Sequence, residues 1–375
     1  MSARDAIVAG IAAGRPRVGP STVHIDVTNT CNAACVTCWD HSPLLATPQP
    51  SAWKHRRLPR DAFDALIADL AAMGSVRAVI LSGMGEPLVH PDIYDLIAAV
   101  KQRGWRLTML TNLVAADIDR LAASGVDQLL VGVHGATPRA YTAFHPGWTE
   151  AQFFTMCRYL RALVAANVRC RHVQVINRDT APEVVEMVRL GKLLGADRVN
   201  YKLASLAGGT ETCAVTAEQR AWLRTEAVPR ARALAAELGV STNLDLFARQ
   251  LDAAGDGAAD TATTPIADVG CFMGYVYTRI TVDLDVLYCC NTAVRVGSLR
   301  EAPLSRLWYG DAWQALRDRV RGGAYFTGCD RCGKFEQNVT WSRRYRDAAG
   351  DEAWARAIGR DQPRAAPRPA LRVLR

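Results

Sequence analysis

The chain has 375 residues, 49% of them hydrophobic and 22% charged, with a formal net charge of +8. This is the composition of a globular protein with one large core and room for a smaller module, and no apolar run approaches the ~20 residues that a membrane-crossing helix needs. The charge is no footprint for nucleic acid: between Arg343 and Arg375 nine arginines face Asp347, Asp351, Glu352 and Asp361, a net of +5, which leaves only +3 for everything before them. The mildly apolar stretch Ala6–Gly14 is short, rich in Ala and Gly and lacks a basic flank, so no signal peptide is expected and the expected location is cytoplasmic.

Val23–Val27 reads as a first strand. A helix follows over Arg60–Met73, with Phe63, Leu66, Ile67 and Leu70 at helical spacing. The pattern then alternates: strand Ala78–Leu81, helix Asp92–Arg103, strand Trp105–Leu110, helix Ala115–Ala123, strand Gln128–Val133. Helix Glu150–Ala166, strand His172–Ile176, helix Ala181–Leu194 and strand Arg198–Leu203 complete six strand–helix units. Such alternation predicts parallel strands with right-handed crossovers, in a curved open barrel or a flat doubly wound sheet. A long helix over Thr216–Leu238 and a strand over Val240–Leu244 come next. Residues 249–268 read as a linker, because Ala, Gly, Asp and Thr dominate there. Beyond it, Tyr275–Val282 and Val286–Cys289 read as a hairpin, followed by helix Leu304–Val320 and a cysteine-bearing loop. The division is therefore an N-terminal extension (1–20), a strand–helix domain (21–248), the linker, a small module (269–342) and a basic tail (343–375). From Gln362 the tail is too rich in proline to form regular structure.

Eleven cysteines need a reason. Cys157, Cys170 and Cys213 are isolated and read as small buried hydrophobes. Cys31, Cys35 and Cys38 lie directly after the first strand, and ligand sites in parallel sheets form at the carboxyl ends of strands. Three thiolates from one loop can converge on one metal centre. A cubane cluster usually takes four, so three leave one iron open; zinc completed by His24 or His41 is the alternative. After the second strand comes Ser82-Gly83-Met84-Gly85-Glu86-Pro87, a glycine-rich turn that exposes backbone carbonyls. The second cysteine group is Cys271, Cys289, Cys290, Cys329 and Cys332, whose spacing suits a four-thiolate site for zinc or iron–sulfur.

Over about Val23 to Leu203 these motifs resemble the radical SAM superfamily. The resemblance implies a partial (βα)6 barrel followed by a small α+β cysteine-rich module. It implies a [4Fe–4S] cluster on Cys31, Cys35 and Cys38, and S-adenosylmethionine (SAM) bound by Gly83, Met84, Gly85, Glu86 and Pro87. Thr37, Trp39, Asn112 and Asn177 are further expected SAM contacts. Thr37 stands where an aromatic residue is usual, with Trp39 taking over the packing near the adenine, and Gly132 stands where relatives often carry a serine that contacts SAM. The C-terminal module resembles the twitch-type form of the SPASM extension. That implies one auxiliary [4Fe–4S] cluster on Cys271, Cys289, Cys329 and Cys332, with Cys290 the alternative to Cys289 and Asp285 replacing a usual hairpin glycine. The implied chemistry is reductive cleavage of SAM, fed by an external donor such as flavodoxin or ferredoxin, to a 5′-deoxyadenosyl radical that abstracts hydrogen. Tyr141, His134, Cys213 and Cys290 are the candidates for proton acceptor or hydrogen donor. The short N-terminal extension and the single auxiliary site favour a small-molecule substrate (a sugar, aminocyclitol or nucleoside) in an oxidative tailoring step. A peptide is the alternative, and a non-catalytic metal-binding scaffold is the reading from another class. The loop His41–Leu58, with Trp53, Lys54, His55, Arg56 and Arg57, is a solvated surface loop or a cover for the barrel mouth. No nucleic-acid or membrane partner is expected.

Overall fold

A computed structural model describes residues 2–253, 266–329 and 332–360. The end of the expected tail and the middle of the expected linker lie outside them. In chain order the strands are β1 (Thr22–Asp26), β2 (Ala78–Ser82), β3 (Arg106–Thr111), β4 (Gln128–Gly132), β5 (Arg169–Ile176), β6 (Arg198–Leu203), β7 (Tyr277–Ile280), β8 (Asp285–Leu287) and β9 (Arg295–Ser298). The chain forms two compact units, one from Asp26–Arg57 and Ile80–Thr263, the other from Met1–Ile25, Leu58–Val79 and Thr264–Arg375.

The first unit holds an open sheet with the strand order β6-β5-β4-β3-β2. β3 through β6 pair in parallel, with Leu110 opposite Leu130, Leu130 opposite Arg171 and Arg171 opposite Arg198. The two sheet faces differ. Along β5, Cys170, His172, Gln174 and Ile176 are buried while Arg171, Val173 and Val175 are half-buried. The buried face is sealed by helices: Ile176, Val199 and Tyr201 share a core with Val184 and Met187 of helix Val184–Leu193 and with Val228 and Ala231 of helix Val228–Leu238. The other face carries Val175, which, like Cys35, packs against a cluster that includes Val36 and Phe144.

The strands β2 to β6 stand where the hydrophobic pattern predicts them. The strand expected over Val240–Leu244 does not form. Thr242 makes an isolated bridge to Val199, and helix Leu244–Ala253 begins where the strand should end. Asn243 is the cause: its Oδ1 accepts from the Tyr201 amide (2.7 Å) and its Nδ2 donates to the Tyr201 carbonyl (2.9 Å), so a side chain replaces strand pairing. The long helix expected over Thr216–Leu238 is interrupted by a π-helical stretch, Leu223–Ala227, just before Pro229, whose missing N–H breaks the ladder. Helix Pro138–Phe144, capped by Thr137, was not foreseen.

In the second unit β1 pairs with β7 in parallel, and β7, β8 and β9 are antiparallel neighbours. The hairpin is as expected; its third strand is an addition. Its turn corrects one reading: the residue in the glycine-like left-handed conformation is Leu284 (φ 67°), one position before Asp285, which already belongs to β8. The helix expected over Leu304–Val320 is two helices, Leu304–Tyr309 and Asp311–Arg321, divided at an extended Gly310. The N-terminal segment forms helix Ala3–Ala13, started by a Ser2–Asp5 capping box. It is fastened by Gln314 Nε2 donating to the Gly14 carbonyl (2.7 Å) and Trp308 Nε1 to that of Val18 (3.0 Å). Helices Phe335–Ala349 and Asp351–Ala357 occupy the first part of the expected tail. Among the described residues no helix is long and apolar enough to cross a membrane.

Candidate metal and cofactor site

The two sequence motifs of the first unit form one interlocked backbone structure. The Gly85 amide donates to the Thr28 carbonyl (3.1 Å) and the Glu86 amide to that of Thr30 (2.9 Å), immediately before Cys31. A Cβ on Gly83 would lie 2.1 Å from Thr28 O, and one on Gly85 would lie 2.0 Å from Thr30 O. Glycine is therefore demanded by close approach. Glu86 is buried and accepts from the Thr111 hydroxyl (2.5 Å) and from the amides of Asn112 (2.6 Å) and Leu88 (3.1 Å). Burial lifts its carboxyl to about 7, with those bonds pulling back. Asn112 Nδ2 in turn donates to Asn32 Oδ1 (2.8 Å), inside the cysteine loop, and Trp148 Nε1 donates to the Asn32 carbonyl (3.0 Å).

The three thiols of that loop are electrostatic neighbours. Burial pushes Cys31 up to about 12 and Cys35 well above the usual thiol range, and it raises Cys38; the neighbouring thiols add to the rise at Cys31 and Cys35. Cys38 Sγ accepts from the amides of His41 (3.3 Å) and Asp40 (3.5 Å). Three half-buried thiolates in one loop require positive charge beside them, which iron supplies. Among the described residues no group of three or more His, Cys, Asp or Glu closes around a single ion. Thiolates that each bind a different iron of a cluster stand wider apart than that. The donor set and its burial fit the cluster.

The second unit contains the five cysteines of the second sequence group. Cys271 is raised by burial and further by Cys332, Cys329 and Cys290. Cys332 is pushed up to about 11 by burial, and its Sγ accepts from Asn338 Nδ2 (3.7 Å). A hydrogen bond from Cys289 lowers Cys290, and Lys334 and Arg279 act in the same direction. Lys334 lies over the Tyr277 ring, 4.4 Å from its centre. Soft donors beside a half-buried cation suit an anionic iron–sulfur group.

A family model for the radical SAM superfamily matches residues 25–191, and one for an iron–sulfur cluster-binding domain matches residues 271–333. Residues 25–191 form a radical SAM domain and residues 271–333 an iron–sulfur cluster-binding domain. The first domain brings a [4Fe–4S] cluster and SAM, and the second brings auxiliary iron–sulfur binding. A PqqA peptide cyclase of Streptomyces rochei is 28% identical over 312 residues, covering 78% of this chain and 77% of that one. An AdoMet-dependent heme synthase of Methanosarcina barkeri is 27% identical over 182 residues, covering 47% of this chain and 48% of that one. Streptococcus suis SuiB bound to its precursor peptide SuiA superposes with a TM-score of 0.60 at 17% identity, covering 88% of this chain and 73% of that one. That likeness shows the fold, the open partial barrel of radical SAM enzymes.

Within the radical SAM domain the remaining predicted residues fall into different places. Met84 is half-buried and Pro87 buried, beside the glycines. Thr37 is half-buried. Trp39 is 61% exposed, with Nε1 donating to the Ser205 carbonyl (2.6 Å). Asn177 is fully buried; its Oδ1 accepts from the amides of Asp179 and Thr180 (both 3.0 Å), which spends the side chain on closing a turn. Cys213 is buried under the cysteine loop with its Sγ toward the Val36 carbonyl (3.8 Å). Tyr141 is fully buried, its hydroxyl without a partner. His134 stands just past β4, and Cys290 belongs to the other unit. Sequence reasoning missed Asn32 and Trp148, which carry no local signal; Thr111 pairs in sequence with the Asn112 that the motif singles out.

Proposed function

We propose that this chain is a radical SAM enzyme that modifies a peptide. The observation that carries this reading is the match to PqqA peptide cyclases, which runs over 78% of the chain in Streptomyces rochei and 86% in Xanthomonas campestris, whereas the heme-synthase match covers 47%. The long match extends beyond the barrel, while the shorter one is confined to under half of the chain. This turns the small-molecule preference of the sequence toward its alternative.

In this reading Cys31, Cys35 and Cys38 hold the SAM-cleaving cluster. The carbonyls of the turn Gly83-Met84-Gly85 receive the SAM ammonium group, while Glu86 and Asn112 fix that turn to the cysteine loop. Cys271, Cys289, Cys329 and Cys332 hold the auxiliary cluster, with Cys290 and Lys334 beside it. When bound there, the cluster and SAM would supply radical hydrogen-abstraction chemistry, and the auxiliary cluster would supply an acceptor for an electron. The helices on the buried sheet face exclude water from behind, and Val175, Val36 and Phe144 pack an apolar wall against Cys35. The test is anaerobic turnover with dithionite, offering short peptides encoded beside the chain's own gene, and separately sugars, aminocyclitols and nucleosides. A peptide should accelerate 5′-deoxyadenosine formation and return with two hydrogens fewer. Acceleration by a small molecule alone would overturn the peptide reading.

A further inference from the structure

One face of helix Phe335–Ala349 grips the chain on both sides of Cys271. Asn338, Ser342 and Tyr345 stand at i, i+4 and i+7 on that helix, and all three are buried. Ser342 Oγ donates to the Val269 carbonyl (2.6 Å), two residues before Cys271. The Tyr345 ring lies 6.2 Å from that of Phe272, one residue after it. Asn338 is fully buried, and its Oδ1 accepts from the Phe272 amide (2.8 Å). A backbone amide can only donate, so this bond fixes which way the side chain points: the oxygen faces Phe272 and the NH2 faces away from it. On that other side Nδ2 donates to Cys332 Sγ (3.7 Å). One side chain therefore joins the segment of the first cysteine of the second group to the sulfur of the last.

A neutral thiol is a weak acceptor, and a buried amide N–H gains little from one. A thiolate is a strong acceptor, so the polarity of the Asn338 amide matches an ionised, metal-bound Cys332. An N–H aimed at a cluster thiolate draws charge from the sulfur and favours the cluster state with one electron more. We propose that Asn338 is a positioning residue for the auxiliary cluster, which ties the Cys271 segment to Cys332 and, through its Nδ2–H bond to the Cys332 sulfur, raises the cluster's reduction potential. The step it acts on is the gain of one electron by the cluster, from the substrate being oxidised in turnover and from dithionite in the experiment. No bond of Asn338 breaks and no proton moves. The inference rests on the iron–sulfur reading of the second cysteine group and deepens it, because a raised potential is what an electron acceptor needs.

The experiment uses the reconstituted full chain carrying Cys31→Ala, so that the iron count and the EPR signal report the auxiliary cluster alone. The cluster is titrated with dithionite and mediator dyes at pH 8. Asn338→Leu keeps the volume and removes the donor; its reduced-to-oxidised ratio at a given potential should fall about tenfold, a shift of ~59 mV to more negative potential for one electron. Asn338→Asp keeps an oxygen for the Phe272 amide and sets a carboxylate oxygen where the N–H stood. It should hold about four irons and shift the potential in the same direction, further than the Leu variant does. Either variant holding about four irons at the parent's potential, a shift to higher potential, or loss of iron from both would make Asn338 a packing residue and overturn the proposal. A Cys31→Ala parent that binds zinc, or no iron, would instead bring down the auxiliary-cluster reading itself.

Discussion

A methyl group on Gly85 would stand 2.0 Å from the Thr30 carbonyl oxygen, one residue before Cys31. Neither partner is a flexible side chain, so the collision can be relieved only by moving the cysteine loop. Gly85→Ala is therefore expected to lose about half of the bound iron, that of the first cluster, while far-UV circular dichroism stays at the parent's level. Full iron with normal SAM cleavage would show that the loop tolerates the shift. Glu86 is the second such tie. Glu86→Ala leaves a buried hydroxyl on Thr111 and the amides of Asn112 and Leu88 without their acceptor, and should cost about 1–3 kcal/mol in denaturant unfolding. The glycines, Glu86 and Asn112 were legible because they sit in a motif. Asn32 and Trp148 were not, because their contacts join segments 80 and 116 residues apart and leave no local pattern.

Along β5 the alternation of buried and half-buried residues that sets the two sheet faces also places His172 among apolar neighbours, both ring nitrogens without a partner. Burial drives its pKa down to about 4. The folded value lies below the unfolded one of about 6.5, so the unfolded chain takes up the proton first. Stability from this group is complete above pH 6.5 and falls as the pH drops toward about 4, by at most ~1.4 kcal/mol per pH unit. His172→Leu should flatten the loss of urea midpoint between pH 7 and pH 5; an unchanged slope would assign it to other groups. Elements with an uninterrupted apolar period, such as β3 to β6, were readable from the sequence. The misreadings fall where one residue overrides the period. Asn243 replaces strand pairing with a side-chain amide, Gly310 divides a helix, and Leu284 takes a left-handed turn that sequence reasoning assigned to its neighbour.

For the whole molecule, the cysteine spacing announced two metal groups, and the residues of each group fall within a single unit. The substrate class was not legible. It depends on which side chains line a chamber, and the chain carries no motif for that. Membership of the two groups in different units gives a further expectation: Cys329→Ser should lower iron by about half yet leave reductive SAM cleavage in place, because Cys31, Cys35 and Cys38 are untouched. Loss of cleavage along with the auxiliary iron would tie the two clusters into one functional unit.

The central claim is a SAM-cleaving cluster on Cys31, Cys35 and Cys38 with an auxiliary cluster in the second domain. Anaerobic reconstitution with iron and sulfide, followed by an iron count and 5′-deoxyadenosine assay after dithionite reduction, tests it directly. The account predicts about eight irons per chain and 5′-deoxyadenosine formation, with Cys31→Ala retaining about four irons and no cleavage. Zinc in place of iron, or intact SAM beside a reduced cluster, would contradict it.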